Sequence, residues 1–324
     1  MNRILLKKLR EQQLVTEEEA DCIIRQEQEP VTVHADLLTL LYAGILLFCS
    51  GAGVLIYQHI DTIGHMAVIA GITAICIACF AWSFKKAPPF SIEKVEAAHV
   101  LHDYLVLMGS LLLPLLFGYI QYAYALFGER WGLAIFIPMV LLWGAAYYFD
   151  HLGVLSLAIT NLAAWAGITI APTRIVYDND FDNEKLIYTG VILGLFLLGL
   201  SGITVYKRIK PHFAALYRSF GLHMLAISLL AGLFHFNSLW IWALVIALAS
   251  GFAFRFAVRE KSYYILLFTL LYTYIALSYL IIRWLDGQAN DIIEIGFLYF
   301  IISGVGLIGA LIYYNRKFRG HAGV

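Results

Sequence analysis

Apolar runs of about twenty residues recur along the chain, the length at which an α-helix crosses the roughly 30 Å hydrocarbon core of a bilayer. Read against the polar and turn-forming stretches between them, these runs predict ten spans: 37–58, 64–84, 100–122, 131–149, 152–171, 186–206, 217–236, 238–257, 263–284 and 295–314. Short turns separate the fourth span from the fifth and the seventh from the eighth. The longest loops, 172–185 and 285–294, are too short for a soluble domain. The expected fold is therefore all-α: a polytopic transmembrane bundle over 37–314, a helical prefix over 1–36 and a tail over 315–324.

Composition agrees. Hydrophobic residues make up 61% of the chain and charged residues 14%, against about 25% charged in soluble domains. The formal net charge is zero, and no basic block is interleaved with aromatics, so nucleic acid is not an expected partner. The first apolar run begins near Leu37, after a charged segment, and is longer than the roughly 7–15 residue core of a secretory signal. It is expected to stay in the membrane.

Charge also predicts sidedness, because cytoplasmic loops retain Lys and Arg. With ten spans, 18 of the 22 basic residues fall on the side shared by both termini and 4 on the other. The four are Arg130, Arg174, Lys185 and Arg283. A single missed span would scramble this bias in every later loop. The expected topology places both termini in the cytoplasm.

The prefix reads as two short helices. Ile4, Leu5 and Leu9 share one face of the first. Thr16 and Glu19 form an S/T-x-x-E capping box that starts the second, Ala20, Ile23 and Ile24 supply its apolar stripe, and Pro30 ends it. So small a hairpin buries little area alone. It is read either as docked on its own membrane domain or as a module, residues 1–30, for a cytoplasmic partner or self-association. The segment "LVTEEEAD.II" leading into "LLTLLYAGILLFCSGAGVLIY" resembles the start of a bacterial family of predicted multi-spanning membrane proteins that carry an N-terminal domain of unknown function. The resemblance covers roughly the first 150 residues. It implies a bacterial inner-membrane protein and brings no catalytic residues with it.

Candidate chemistry is sparse. His99, His102 and Asp103 stand at i, i+3 and i+4, one face of a helix, just before the apolar run of the third span. Imidazole and carboxylate at this spacing suit a transition metal if another helix adds ligands; the same residues also suit an interfacial anchor. His34, Asp36, Asp150, His151, His212 and His223 fall on the same predicted side. Asp178, Asp180, Asp182 and Glu184 begin like a calcium loop, but Asn183 stands where the loop needs Gly and Thr189 where it needs Glu. The default there is an acidic, solvated loop. Cys76 and Cys79 form a C-x-x-C inside an apolar helix with no second pair, which reads as packing.

Within the spans, Asn161 is the clearest deep polar group and is read as an interhelical hydrogen-bond partner. Arg218 is expected to snorkel to the cytoplasmic interface. Asn161, His223 and Arg218 form a candidate polar site in or near the bundle. Gly190 and Gly194, the trio Ala243, Ala247 and Gly251, and the pair Gly306 and Ala310 are expected to mark close helix contacts. Pro114 and Pro138 are expected to kink their helices and free carbonyls for a cavity. No nucleotide loop, zinc-protease helix or hydrolase elbow is present, and no motif requires a cofactor.

Three functions compete. The leading one is transport or permease-like movement of a neutral or weakly polar small molecule. A non-catalytic scaffold that docks a partner through the prefix is the alternative. A membrane enzyme built on the His/Asp face is the third, and the sequence leans against it.

Overall fold

The computed structural model describes residues 34–58, 64–95, 100–170, 184–285 and 292–319. The prefix hairpin, His99 and the acidic segment 178–183 lie outside them. The chain divides into two units, Met1–Thr62 and Ile63–Val324. In the first, the described part is one helix, α1 (His34–Gln58). The second holds nine: α2 (His65–Lys86), α3 (Val100–Tyr124), α4 (Trp131–Phe149), α5 (Leu152–Ile170), α6 (Glu184–Lys207), α7 (Phe213–His235), α8 (Leu239–Arg259), α9 (Tyr263–Leu285) and α10 (Ile292–Arg319).

The described residues are all-helical, and nine of the helices, α2 to α10, are long and apolar enough to cross a membrane. The apolar stretch of α1, Thr39–Leu55, is shorter. Large apolar side chains cover the outer faces: Phe196, Leu248 and Ile302 are exposed. A helix without water around it must satisfy its own backbone, so this surface is one that lipid solvates. The molecule is an integral membrane protein.

Packing inside the second unit follows small side chains. A Cβ on Gly194 would meet the backbone nitrogen of Leu225 at 2.7 Å, one on Gly190 would collide with Ser228, and one on Gly221 would lie 3.0 Å from the Gly194 carbonyl. The GxxxG of α6 thus seats directly on α7. The other small-residue motifs do not act this way: a Cβ on Gly251 or Gly306 would meet nothing within 4 Å, and Ala247 is exposed. Of the α8 trio only Ala243 packs inward, against the Leu229, Leu233 and Ile246 cluster. Cys76 and Cys79 are buried against α3, with the Cys76 thiol 3.6 Å from the Gly109 carbonyl, as expected of packing residues.

Turns are fixed by specific side chains. Gln121 is 1% exposed; its amide donates to the Gly128 carbonyl at 2.7 Å and accepts from the Phe127 N–H at 3.0 Å. It locks the turn between α3 and α4. The largest core cluster gathers Leu142, Ala146, Val154 and Leu155 of α4 and α5 with Val106, Leu197, Phe213 and Tyr217. At its heart the Tyr217 hydroxyl accepts from the Trp143 indole at 2.8 Å and lies 3.0 Å from the Tyr147 hydroxyl.

Candidate functional site

Two polar assemblies stand out, one at a helix end and one inside the bundle. The first is built on Asp150. This residue ends α4 in the left-handed conformation, φ 58, with its N–H returned to the Ala146 carbonyl, a geometry Asp tolerates better than most residues. The turn points a buried carboxylate at three donors. The Lys210 ammonium lies 3.2 Å away, the His212 Nε2 2.6 Å, and the Val95 N–H donates at 2.6 Å. Lys210 is 1% exposed; its ammonium also lies over the rings of Phe90 and Phe213, and its own N–H donates to the Ile92 carbonyl at 2.8 Å.

A buried ion pair is costly unless its remaining hydrogen-bonding capacity is met. Here the Asp150 carboxylate is met by donors from two connections, the loop before α3 and the α6–α7 turn, so three connections including its own α4–α5 turn are joined. The assembly therefore reads as a clamp joining loops that the charge bias assigns to one side.

Beside it, His151 supplies the first bond of α5: its Nδ1 accepts the Val154 N–H at 3.2 Å. Burial pushes the His151 imidazole below its ordinary range, opposed in part by the Asp103 carboxylate. His102 is 3% exposed. Its Nε2 donates to the Ser83 carbonyl at 3.2 Å, and its Nδ1 is 3.8 Å from the Asp103 carboxylate. The ring packs edge-on to Phe149. Thus His102 ties α3 to α2 with its ring packed against protein. Among the described residues, no three His, Cys, Asp or Glu side chains gather as a metal site would need.

The second assembly is a cavity of about 850 Å³ between α6, α7, α8 and α9. Its floor is apolar, with Leu229, Leu230, Ile246 and Ile265 buried. Its lips are exposed: Tyr206 on α6 is 88% accessible and Phe252 on α8 is 75%. The hydroxyls along the wall are mostly spent on the protein. Ser201 donates to the Ala214 carbonyl, Thr269 to the Ile265 carbonyl, and Ser250 pairs with Thr273.

Tyr272 lines the cavity and holds the Nδ1 of His223 at 2.8 Å, while the Nε2 of His223 lies 2.7 Å from the Tyr264 hydroxyl. Ser219 extends this chain to 2.8 Å from Tyr264. Arg218 stands at one end of the cavity, half-buried, with its guanidinium 5.0 Å above the Phe256 ring.

Of the candidate polar site, the structure places Arg218 on this cavity, His223 behind its wall through Tyr272, and Asn161 elsewhere. Asn161 donates to the Leu157 carbonyl of its own helix at 2.9 Å, so the interhelical role expected of it goes unfilled: its amide is used one turn back. The residues Pro114 and Pro138 lie within α3 and α4, neither of which lines the cavity. Tyr264, Tyr272 and the clamp residue Lys210 were not singled out by sequence as site residues. A tyrosine among 20, or a lysine in a basic loop, carries no local signal of what it will meet.

Residues 7–155 match a family described as "Predicted membrane protein (DUF2157)". No curated protein and no solved structure matches the chain. The resemblance seen near the start of the sequence is thus to this family, and the cavity of α6–α9 lies beyond the matched residues. Residues 7–155 are similar to this family of unknown function, and the described residues form a membrane protein with multiple helices able to cross a bilayer.

Proposed function

We propose that the α6–α9 cavity is a ligand site and that the protein has a transport or permease-like role in a bacterial inner membrane, both termini being cytoplasmic. The cavity carries the reading. Its volume, about 850 Å³, falls in the range of about 300–1,000 Å³ common to small-molecule sites. From Arg218 to Leu230 it follows α7 for roughly 18 Å at 1.5 Å per residue, more than half of a hydrocarbon core of about 30 Å. A path that reaches such depth from one interface is half of what alternating access requires. The distribution of Lys and Arg supports the orientation.

Flux in proteoliposomes tests the role. Gly202 lines the cavity and Gly199, on the same helix, does not; a Cβ at either meets nothing within 4 Å. Against a panel of neutral and weakly polar solutes, the wild type should give protein-dependent uptake. Gly202→Trp should lower that uptake by about fivefold or more, while Gly199→Trp leaves it unchanged. No uptake of any solute by the wild type, or equal effects of both substitutions, would sink the transport reading.

A further inference from the structure

The cavity carries one group that the protein leaves unmatched. Arg218 presents five N–H donors and a fixed positive charge. Among the described residues no carboxylate or hydrogen-bond acceptor reaches its guanidinium; its contact is the face of Phe256. The carboxylate of Glu260 also borders the cavity, yet Glu260 is exposed and forms no ion pair with Arg218. Arg255, Arg259 and Lys261 stand exposed around the same end of α8, so the local field is positive. A neutral occupant would leave the guanidinium without acceptors in a half-buried place, an expensive arrangement.

Below Arg218 the walls are aliphatic and aromatic, and the serine and threonine hydroxyls there bond the protein itself. The complement of such a site is a molecule with an anionic head and an apolar tail. The exposed lips, Tyr206 and Phe252, belong to the membrane-spanning segments of α6 and α8. They open the cavity sideways, toward hydrocarbon. A molecule already dissolved in the bilayer can enter by that route; a water-soluble anion would have to cross an apolar lip. Arg218 lies five residues into α7, close to the depth at which lipid headgroups begin, and Arg pairs bidentately with phosphate.

We propose that the α6–α9 cavity binds an anionic bilayer lipid, with the phosphate on Arg218 and an acyl chain along the floor formed by Leu229, Leu230 and Ile246. The inference rests on the cavity being a ligand site and replaces the neutral solute with a lipid as its occupant.

The test is native mass spectrometry of the full chain in mild detergent, titrated separately with dioleoyl phosphatidylglycerol, dioleoyl phosphatidylcholine, dioleoylglycerol and inorganic phosphate. Phosphatidylglycerol should bind most tightly, because phosphatidylcholine carries a cation beside its phosphate and dioleoylglycerol has no charge. Arg218→Gln should weaken phosphatidylglycerol binding by about tenfold, to the level of phosphatidylcholine, the scale of one lost charge-assisted contact. Arg218→Lys should recover part of it. Gly202→Trp should weaken all three lipids, and Gly199→Trp none.

Equal binding of phosphatidylglycerol and phosphatidylcholine, or indifference to Arg218→Gln, overturns the proposal. So does Arg218-dependent binding that Gly202→Trp leaves intact, which would make Arg218 an interfacial anchor only. Tight binding of inorganic phosphate alone would do the same. Failure of solute flux alongside Arg218-dependent, Gly202-sensitive lipid binding removes the transport reading and leaves the lipid site standing.

Discussion

Asp150 and His151 are adjacent residues in different surroundings. Asp150 sits against the Lys210 ammonium and His212 with its side chain 3% exposed. His151 must be neutral, since its Nδ1 accepts the Val154 N–H and burial disfavours its cationic form. Its pKa is therefore lower folded than unfolded, where it is near 6.5. Between those values the unfolded chain binds the extra proton, so stability rises with pH. The contribution is complete above about pH 6.5 and is lost as pH falls through the folded value. Asp103 and His102 face the same ring and bias the window, the first upward and the second downward. The melting temperature in detergent should fall as pH is lowered from 7 to 5, and His151→Asn, which can still cap α5, should fall less. An identical slope in both proteins would remove His151 from the account.

At the scale of elements, the contact of α6 with α7 shows what a small-residue motif requires. Gly190 and Gly194 work because Ser228, Leu225 and Gly221 come against them; without hydrophobic drive between helices in lipid, close packing has to hold such pairs together. Gly251 and Gly306 have the same residue type and no helix opposite. Gly194→Leu should destabilise the protein by about 1–3 kcal/mol, the usual cost of overpacking, because the obstacle is the Leu225 backbone, which has no alternative rotamer. Gly199→Leu on the same helix should cost nothing measurable. Thermal unfolding of the two purified variants distinguishes them, and equal melting temperatures would mean that α6 and α7 do not meet at Gly194.

For the whole molecule, the clamp on Asp150 binds connections that charge counting assigns to a single side, namely the loop before α3, the α4–α5 turn and the α6–α7 turn. Fusing green fluorescent protein after Val324 should give fluorescent cells. Alkaline phosphatase inserted at Glu129 should be active and the same enzyme at Arg208 inactive. The reversed pattern of phosphatase activity would invert the proposed topology.

Most of the helical architecture was legible in the sequence, and the site was not. Apolar length shows which segments are helices, because in lipid every backbone N–H and C=O must be satisfied within its own segment; that requirement is local and leaves its mark residue by residue. Helix contacts are not local. The sequence read His102 as a metal ligand or an interfacial anchor and gave no sign of its packing between Ser83 and Phe149. It gave Asn161 a partner on another helix, and the side chain turned back on its own. It gave Arg218 no neighbours beyond its own helix; the tertiary structure set it at the end of a cavity whose walls come from four helices. Sequence by itself determined that this is an all-helical membrane protein, since hydrophobicity and length are properties of a segment. Only the tertiary structure decided which polar groups are used up within the protein, since that depends on what each helix meets.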